Sequence, residues 1–453
     1  MKSPQRVRRP GYAPTNPAVG RRGMHTREQI VAHAGALFVE HGYHGTSIDA
    51  IAKAVGGSRA TIYQYFESKD DIFRELVRQC EPAVLEHATR LGRLGPDADG
   101  VRSLHRWLTE WAQLYDKYAM VFLEFPGVGA IEGLPQTEAG AVSGQYADLI
   151  TRKLRDAGIR GIEAADAAAA LLRIAHMVNL YRFRGMFGLR SAARTTDSLT
   201  VTMQLLLFPE TPADYIAEII SVPTEAAVVR DEPTAPAFGL PKEPDAFSVS
   251  PIRQDVLSAS SVLFNERGYY SVAMEDIAAA ASVSRATLYR HFSTKVKILE
   301  ELTGWSVLEG AHLAAQLHEL ARSGIDVGTL HSWLGRYVHF HRSYSGVIRA
   351  WYDGTLAQQL AGDAVVRGMG GFHVAVSALL DGVRLPAGID RRVAAAVFLS
   401  VLGRMTELSI SRRRNVSDYE AASLMLLVLQ RALLGDLEPR DGTVHPSPRP
   451  RSH

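Results

Sequence analysis

A segment near the N-terminus recurs without a gap 226 residues further along the chain. Residues 27–77 and 253–303 share 19 identities in 51 aligned positions, and both keep the string Ser-Arg-Ala-Thr-x-Tyr-x-x-Phe-x-x-Lys. Similarity at one fixed offset marks a duplicated structural unit and limits the folds open to the chain. The offset persists beyond this block. His105-Arg106-Trp107-Leu108 falls on His331-Ser332-Trp333-Leu334, Tyr118 on Tyr344, and Phe125 on Trp351. A whole unit, not only its start, is therefore repeated.

The length of 453 residues suits two such units. Apolar residues make up 46% and charged residues 22%, the balance of a globular chain. No run approaches the roughly 18 uninterrupted apolar residues of a membrane span, and the first residues hold no apolar signal core, so a cytoplasmic protein is expected. The lone Cys80 excludes an internal disulfide and a cysteine-built zinc site. The net charge is +2, yet Lys2, Arg6, Arg8, Arg9, Arg21 and Arg22 face no acid within residues 1–25. This segment is read as a basic, irregular arm that either attaches to a polyanion or is simply solvated. Residues 209–251 hold eight of the 21 prolines and are read as a linker, interrupted by a short helix near Tyr215–Ile220.

The remainder is helical in pattern. Ile30, Ala34, Leu37 and Phe38 recur at helical spacing, as do Val256, Ser260, Leu263 and Phe264, and residues 163–178 and 391–402 are rich in alanine. An all-α fold follows. Within each repeated block the order is helix, Gly-Tyr turn, short helix, tight turn, short helix. Gly42 and Gly268 stand where a helix-ending glycine belongs. Thr46 is expected to cap the second helix with Asp49 as its partner, and Ser58 to cap a third helix from Arg59 to Phe66. Two short helices in this arrangement, the second presenting Arg, Thr, Gln and Tyr, suit the major groove of double-stranded DNA. Arg59 would reach a guanine edge or a phosphate. Thr61, Tyr63 and Tyr65 offer hydroxyls to phosphates, and Lys69 adds positive charge.

Both blocks closely resemble the N-terminal DNA-binding domain of the TetR family of bacterial transcription regulators. The first copy supplies Thr46, Ile51, Ala52, Ser58, Tyr63, Phe66 and Lys69 of the family signature; the second supplies Ile277, Ala278, Ser284, Tyr289, Phe292 and Lys295. The resemblance implies two units in tandem, each a three-helix helix-turn-helix domain followed by a helical regulatory bundle. Expected boundaries are an arm at 1–25, heads at 26–71 and 252–297, regulatory domains at 72–208 and 298–436, the linker between, and a tail at 437–453. DNA contacts are expected from Thr46, Ser47, Ser58, Arg59, Thr61, Tyr63, Gln64, Tyr65 and Lys69. In the second head they are expected from Ser284, Arg285, Thr287, Tyr289, Arg290, His291 and Lys295. Val272 and Ala273 replace Thr46 and Ser47, so a looser second head is expected. Arg290 and His291 replace Gln64 and Tyr65, so the two heads should read unequal half-sites.

The resemblance further implies a ligand cavity and a dimerising bundle after each head. Aromatic stripes at 104–125 and 330–352 form core or line a cavity. Trp107, Trp111, Tyr115, Phe122, Trp333, Tyr337 and Trp351 are the candidates, with His176, Asn179 and Arg404 as polar groups that either orient a ligand or face an interface. An apolar, aromatic cavity favours a hydrophobic small-molecule effector. The leucine-rich helices near 196–208 and 417–434 need a partner, most simply each other within one chain. No histidine pair has metal-site spacing, no nucleotide loop or catalytic constellation appears, and no cofactor or enzymatic activity is implied. The expected protein is a ligand-released repressor whose two heads form an intramolecular pseudo-dimer on an imperfect palindrome. The alternative is a homodimer that reads DNA with its first heads only, the second head serving as an interaction module.

Overall fold

The computed structural model of the chain describes residues 17–124, 136–220, 250–351, 356, 360, 364–406, 416–435 and 437. All regular structure among them is helical. In the first half α1 (Pro17–His41), α2 (Ile48–Ala54) and α3 (Arg59–Tyr65) form a head. After it come α4 (Lys69–Arg90), α5 (Ala98–Lys117), α6 (Ala119–Glu124), α7 (Gln136–Asp156), α8 (Ala164–Phe183), α9 (Ala192–Leu207) and α10 (Ala213–Ile219). The second head is α11 (Pro251–Arg267), α12 (Met274–Ala280) and α13 (Arg285–His291). It is followed by α14 (Lys295–Ser323), α15 (Val327–Ser343), α16 (Ser345–Trp351), α17 (Ala364–Asp381), α18 (Arg391–Arg404) and α19 (Asp418–Leu429). The two-unit all-α architecture expected from the repeat is the one observed.

Two boundaries differ from the sequence reading. The first helix starts at Pro17, so Pro17–His25 of the expected arm are helical. The first part of the expected linker belongs to the first unit: Ile216 of α10 and Ile220 pack on Val101 and Val201. Burying these side chains holds the proline-flanked segment against α5. The rest of the arm, linker residues 221–249, the tail beyond 437, and Phe125 lie outside the described residues.

Each head has its own apolar centre. Ile30, Ala34 and Phe38 of α1 meet Ile51 and Ala52 of α2, Ile62 of α3, and Phe66, all buried. Val256, Phe264, Ile277, Ala278, Leu288 and Phe292 repeat the pattern in the second head. An ion pair at equivalent positions ties each head to the helix that follows. Arg27 donates to Glu75 at 2.8 Å, and Arg253 forms a fork with Glu301. The guanidinium groups also lie over the Phe66 and Phe292 rings, at 4.8 and 4.2 Å. The bond from Arg27 holds the Glu75 carboxyl below its usual range.

The helices that follow each head carry matched details too. Trp107 donates its indole N–H to the His87 carbonyl at 3.1 Å, and Trp333 does the same to Leu313 at 2.9 Å. The alanine-rich α8 and α18 pack on one another, their small side chains allowing close approach. The leucine-rich α9 likewise meets the turn that follows α19. Polar links cross the same boundary. Arg431 donates to the Leu206, Leu207 and Arg160 carbonyls at 2.7, 3.2 and 2.7 Å, and Ser198 accepts from the Asp390 N–H at 2.9 Å.

Candidate functional site

The site begins at the end of α1, where Gly42 takes a left-handed φ of 74° and turns the chain. Tyr43 then plugs the head core, and the chain re-enters a helix at Ile48. Ser47, not Thr46, caps that helix: its hydroxyl accepts from the Ala50 N–H at 3.1 Å. Thr46 is 2% exposed, and its hydroxyl donates to the Leu37 and Gly42 carbonyls at 3.1 and 2.8 Å. The expected capping box of Thr46 and Asp49 is therefore replaced by a buried tie to the last turn of α1, which satisfies two carbonyls that the helix end leaves without partners.

In the second head Val272 occupies the Thr46 position, 1% exposed, and Ala273 stands at the cap without a side-chain acceptor. Asp276 compensates. Its carboxylate accepts from the Ala273 N–H at 2.8 Å, a role for which the first head has only Ala50. The expected loosening is thus offset by half of a capping box. The turn before each recognition helix also differs: Gly56 has φ 71°, and Ser282 holds the same left-handed conformation at φ 55°.

The recognition helices α3 and α13 start alike. Ser58 accepts from the Thr61 N–H at 3.3 Å while Thr61 accepts from the Ser58 N–H at 3.2 Å. Ser284 accepts from the Thr287 N–H at 3.1 Å. Ile62 and Leu288 point inward and fix the rotation of each helix, which leaves Arg59, Tyr63 and Gln64 outward in one and Arg285, Tyr289 and Arg290 outward in the other. Tyr65 and His291 are half-buried on the flank.

Arg59 pairs with Asp49 at 2.7 Å, and Arg285 with Glu275 at 2.9 Å. Asp49, expected from the sequence as the partner of a Thr46 cap, is turned to Arg59 instead, and Glu275 stands at the same spacing ahead of Arg285. Both pairs are well exposed, so they steer the guanidinium groups while contributing little stability. The arginines remain available for exchange onto a stronger anion.

Lys69 turns inward. Its ammonium donates to the Tyr43 and Thr46 carbonyls at 2.7 and 2.9 Å and lies 4.3 Å from the Tyr43 ring centre. Lys295 makes the equivalent bonds to Tyr269 and Val272 at 2.7 and 2.6 Å. Burial pushes its pKa down. In both heads the lysine clamps the corner from which the second helix departs.

Among the described residues, two of the cavities behind the heads include expected ligand candidates. The first, of about 320 Å³, includes Trp111, Phe122, His176 and Arg404 in its wall. The second, of about 150 Å³, includes Tyr337 and Trp351. The other candidates lie elsewhere. Trp107 and Trp333 are core residues whose indoles are committed to carbonyls. Asn179 is buried and donates to the Ala175 carbonyl at 2.8 Å. Tyr115 sits one layer behind the wall, stacked on Phe122 at 4.9 Å. No helix among the described residues is long and apolar enough to cross a membrane.

Residues 30–76 and 256–302 each match the family described as "Bacterial regulatory proteins, tetR family". The chain is also similar to the "Biofilm operon icaADBC HTH-type negative transcriptional regulator IcaR" of Staphylococcus aureus (strain Newman), with 25% identity over 126 residues. That match covers 27% of this chain and 62% of the relative. The protein of the same description from Staphylococcus epidermidis is 37% identical over 54 residues, 12% of this chain and 29% of the relative. The two matched segments coincide with the two heads described above, each with its capped recognition helix and its buried centre. The chain thus carries twice the domain matched by the tetR family of bacterial regulatory proteins.

Proposed function

We propose that this chain is a ligand-responsive transcription repressor that reads an imperfect palindrome with both of its heads. The observation that carries the reading is the pairing of Arg59 with Asp49 and of Arg285 with Glu275, which presents one steered, exposed guanidinium on each recognition helix. On DNA the arginines exchange their carboxylates for a guanine edge or a phosphate. Ser47, Ser58, Ser284, Tyr63 and Tyr289 offer hydroxyls to the backbone, while Thr61 and Thr287 hold their helix starts in register. Gln64 suits adenine where Arg290 suits guanine, so the half-sites differ at that position. Tyr65 and His291 flank these contacts. Thr46, Lys69 and Lys295 act through the corner they hold.

The contacts between α8, α9 and the α18–α19 region support a pseudo-dimer within one chain. The relative's printed role as a negative regulator supports repression. The helix α4 runs from Lys69 beside the head to Cys80 and Val84 in the first cavity wall, so an occupant there can bias head spacing. The test is a DNase footprint of the purified chain on its own upstream region, with the bound mass measured by light scattering. One chain protecting one palindrome, its recognition helices about 34 Å apart in successive major grooves, is the expected result. Two chains on that site would mean that the second heads do not read it. No protection even at low salt, where phosphate contacts are strongest, would remove self-regulation as the function.

A further inference from the structure

Both heads keep a steered arginine, but the surface around it differs in charge. From its capping serine to the first turn of the next helix, the first head has Arg59 and Lys69 against Glu67, Asp70 and Asp71. The same stretch of the second head has Arg285, Arg290, Lys295 and Lys297 and no acid. Four positions make the difference: Gln64, Glu67, Asp70 and Asp71 give way to Arg290, Ser293, Val296 and Lys297. Over residues 26–71 four bases face six acids, and over 252–297 six bases face four acids. The sign of the charge therefore reverses between two copies of one motif.

The structure holds these groups beside the outward face of each recognition helix. Asp71 accepts from the Glu67 N–H at 3.1 Å and from Arg74 at 2.8 Å, and Asp70 accepts from the Tyr43 hydroxyl. Both carboxylates are thus committed to the turn that joins α3 to α4, where Glu67 is exposed. In the second head the equivalent ion pair is reversed: Lys297 stands in the first turn of α14 and donates to Glu300 at 2.6 Å. The Lys297 side chain is 59% exposed, so this pair opens easily to a stronger anion. Arg290 is exposed and forms no ion pair among the described residues. Charges a helical turn apart lie within the ~10 Å over which salt leaves them coupled. A phosphate backbone therefore meets a cationic face beside α13 and α14, and a slightly acidic one beside α3 and α4.

We infer that the second head is the anchoring head: Arg290 and Lys297, beside Arg285, hold the chain on duplex DNA of any sequence, and the first head reads its half-site from that tethered position. The head with the poorer cap on its second helix is thus the one with the stronger attraction for phosphates. A first head of opposite charge adds little hold on unrelated DNA. Its contribution is confined to sites where Arg59 and Gln64 find their bases, which widens the difference in affinity between cognate and other sequences. The division of roles rests on the proposed reading of DNA by both heads; the hold on mixed-sequence DNA needs no operator.

The experiment is fluorescence anisotropy of the full chain on a mixed-sequence duplex of about three helical turns, titrated between about 50 and 200 mM salt. Arg290→Gln/Ser293→Glu gives the second head two residues of the first, both at exposed positions. It should weaken binding about tenfold and lower the salt slope by about one. Lys53→Gln/Arg59→Gln removes the same amount of charge from the first head and should weaken binding less than about threefold. The reciprocal exchange, Gln64→Arg/Glu67→Ser, should tighten binding about tenfold, a gain that misfolding does not produce. A second-head loss no larger than the first-head loss, or no gain from the reciprocal exchange, would overturn the inference; the chain would then be held elsewhere, as by the basic residues of 1–25. No binding of the duplex at low salt would overturn both this inference and the reading of DNA. Unequal losses as described, without a protected palindrome, would leave the anchoring head standing and sink only the two-headed reading.

Discussion

The imidazole of His44 stacks on the phenol of Tyr270, ring centres 3.7 Å apart and planes inclined by 17°. These two residues are separated by the repeat offset of 226, so each occupies the same place in its own head. A contact between equivalent positions is what a two-fold arrangement of identical subunits would place on its axis, which supports the proposed pairing of the heads. Here both positions belong to one polypeptide. Both rings belong to the corner between the first two helices of a head, which Lys69 or Lys295 clamps.

The stacked pair should be energetically coupled. His44→Ala and Tyr270→Ala in a double-mutant cycle are expected to show about 0.5–1.5 kcal/mol of interaction energy, the range for aromatic pairs. Chemical denaturation followed by circular dichroism measures it. Because the contact lies within one chain, the coupling should not change with protein concentration; a value that grows with concentration would place the contact between chains.

Ser282 provides a second test. It holds φ 55° where the equivalent Gly56 holds φ 71°, and a side chain in the left-handed region costs about 1 kcal/mol. Ser282→Gly should therefore raise stability by about that amount, and Gly56→Ser should lower it similarly. Nothing lies within 4 Å of a Cβ built at Gly56, so the loss reports backbone conformation alone. Denaturation midpoints decide the sign.

The buried threonine predicts an asymmetry between heads. Thr46→Val removes a hydroxyl that serves two carbonyls and should cost about 1 kcal/mol. The reverse change, Val272→Thr, places a hydroxyl beside the equivalent carbonyls and should cost nothing measurable. Equal losses from both changes would show that volume, not hydrogen bonding, governs this corner.

A pH dependence follows from His87. Its Nδ1 faces the Tyr146 hydroxyl at 2.8 Å and its Nε2 the Trp107 carbonyl at 2.9 Å, and burial pushes its pKa down to about 4. The unfolded chain takes up this proton near pH 6.5 while the folded chain does not, so stability is full above pH 6.5 and falls as the pH drops toward 4. The loss is at most about 1.4 kcal/mol for each pH unit in that window. In the second half the equivalent pair is Leu313 and Phe372. The double variant His87→Leu/Tyr146→Phe should flatten the stability profile between pH 6.5 and 5, as measured by thermal denaturation in matched buffers. An unchanged slope would assign the acid sensitivity to other groups.

Much of the fold was legible because local rules and the repeat agreed. Ile62 and Leu288, at one position of the motif, set which face of each recognition helix turns outward, so Arg59, Tyr63 and Gln64 and their counterparts could be named from spacing alone. Glycines at 42 and 268 marked the corner for a local reason as well. The sequence offers Lys69 as positive charge for DNA at the start of the next helix, because its neighbours carry no sign of the Tyr43 and Thr46 carbonyls it meets. Thr46 reads as a cap for the same reason: threonine before a helix fits that role, and only the packing of α1 against α2 turns its hydroxyl toward Leu37 and Gly42.

The sequence by itself determined that two all-α units follow one another and which residues their recognition helices expose, since periodicity and repetition are properties of the chain. The tertiary structure alone decided which aromatics line a cavity. Trp107 and Trp111 lie one turn apart on the same stripe, yet the first is core and the second is wall, a distinction made by the helices opposite them. It also brought Arg404 to Arg173 across 231 residues of chain. No local pattern encodes such a meeting, because it depends on how apolar faces of both halves bury one another.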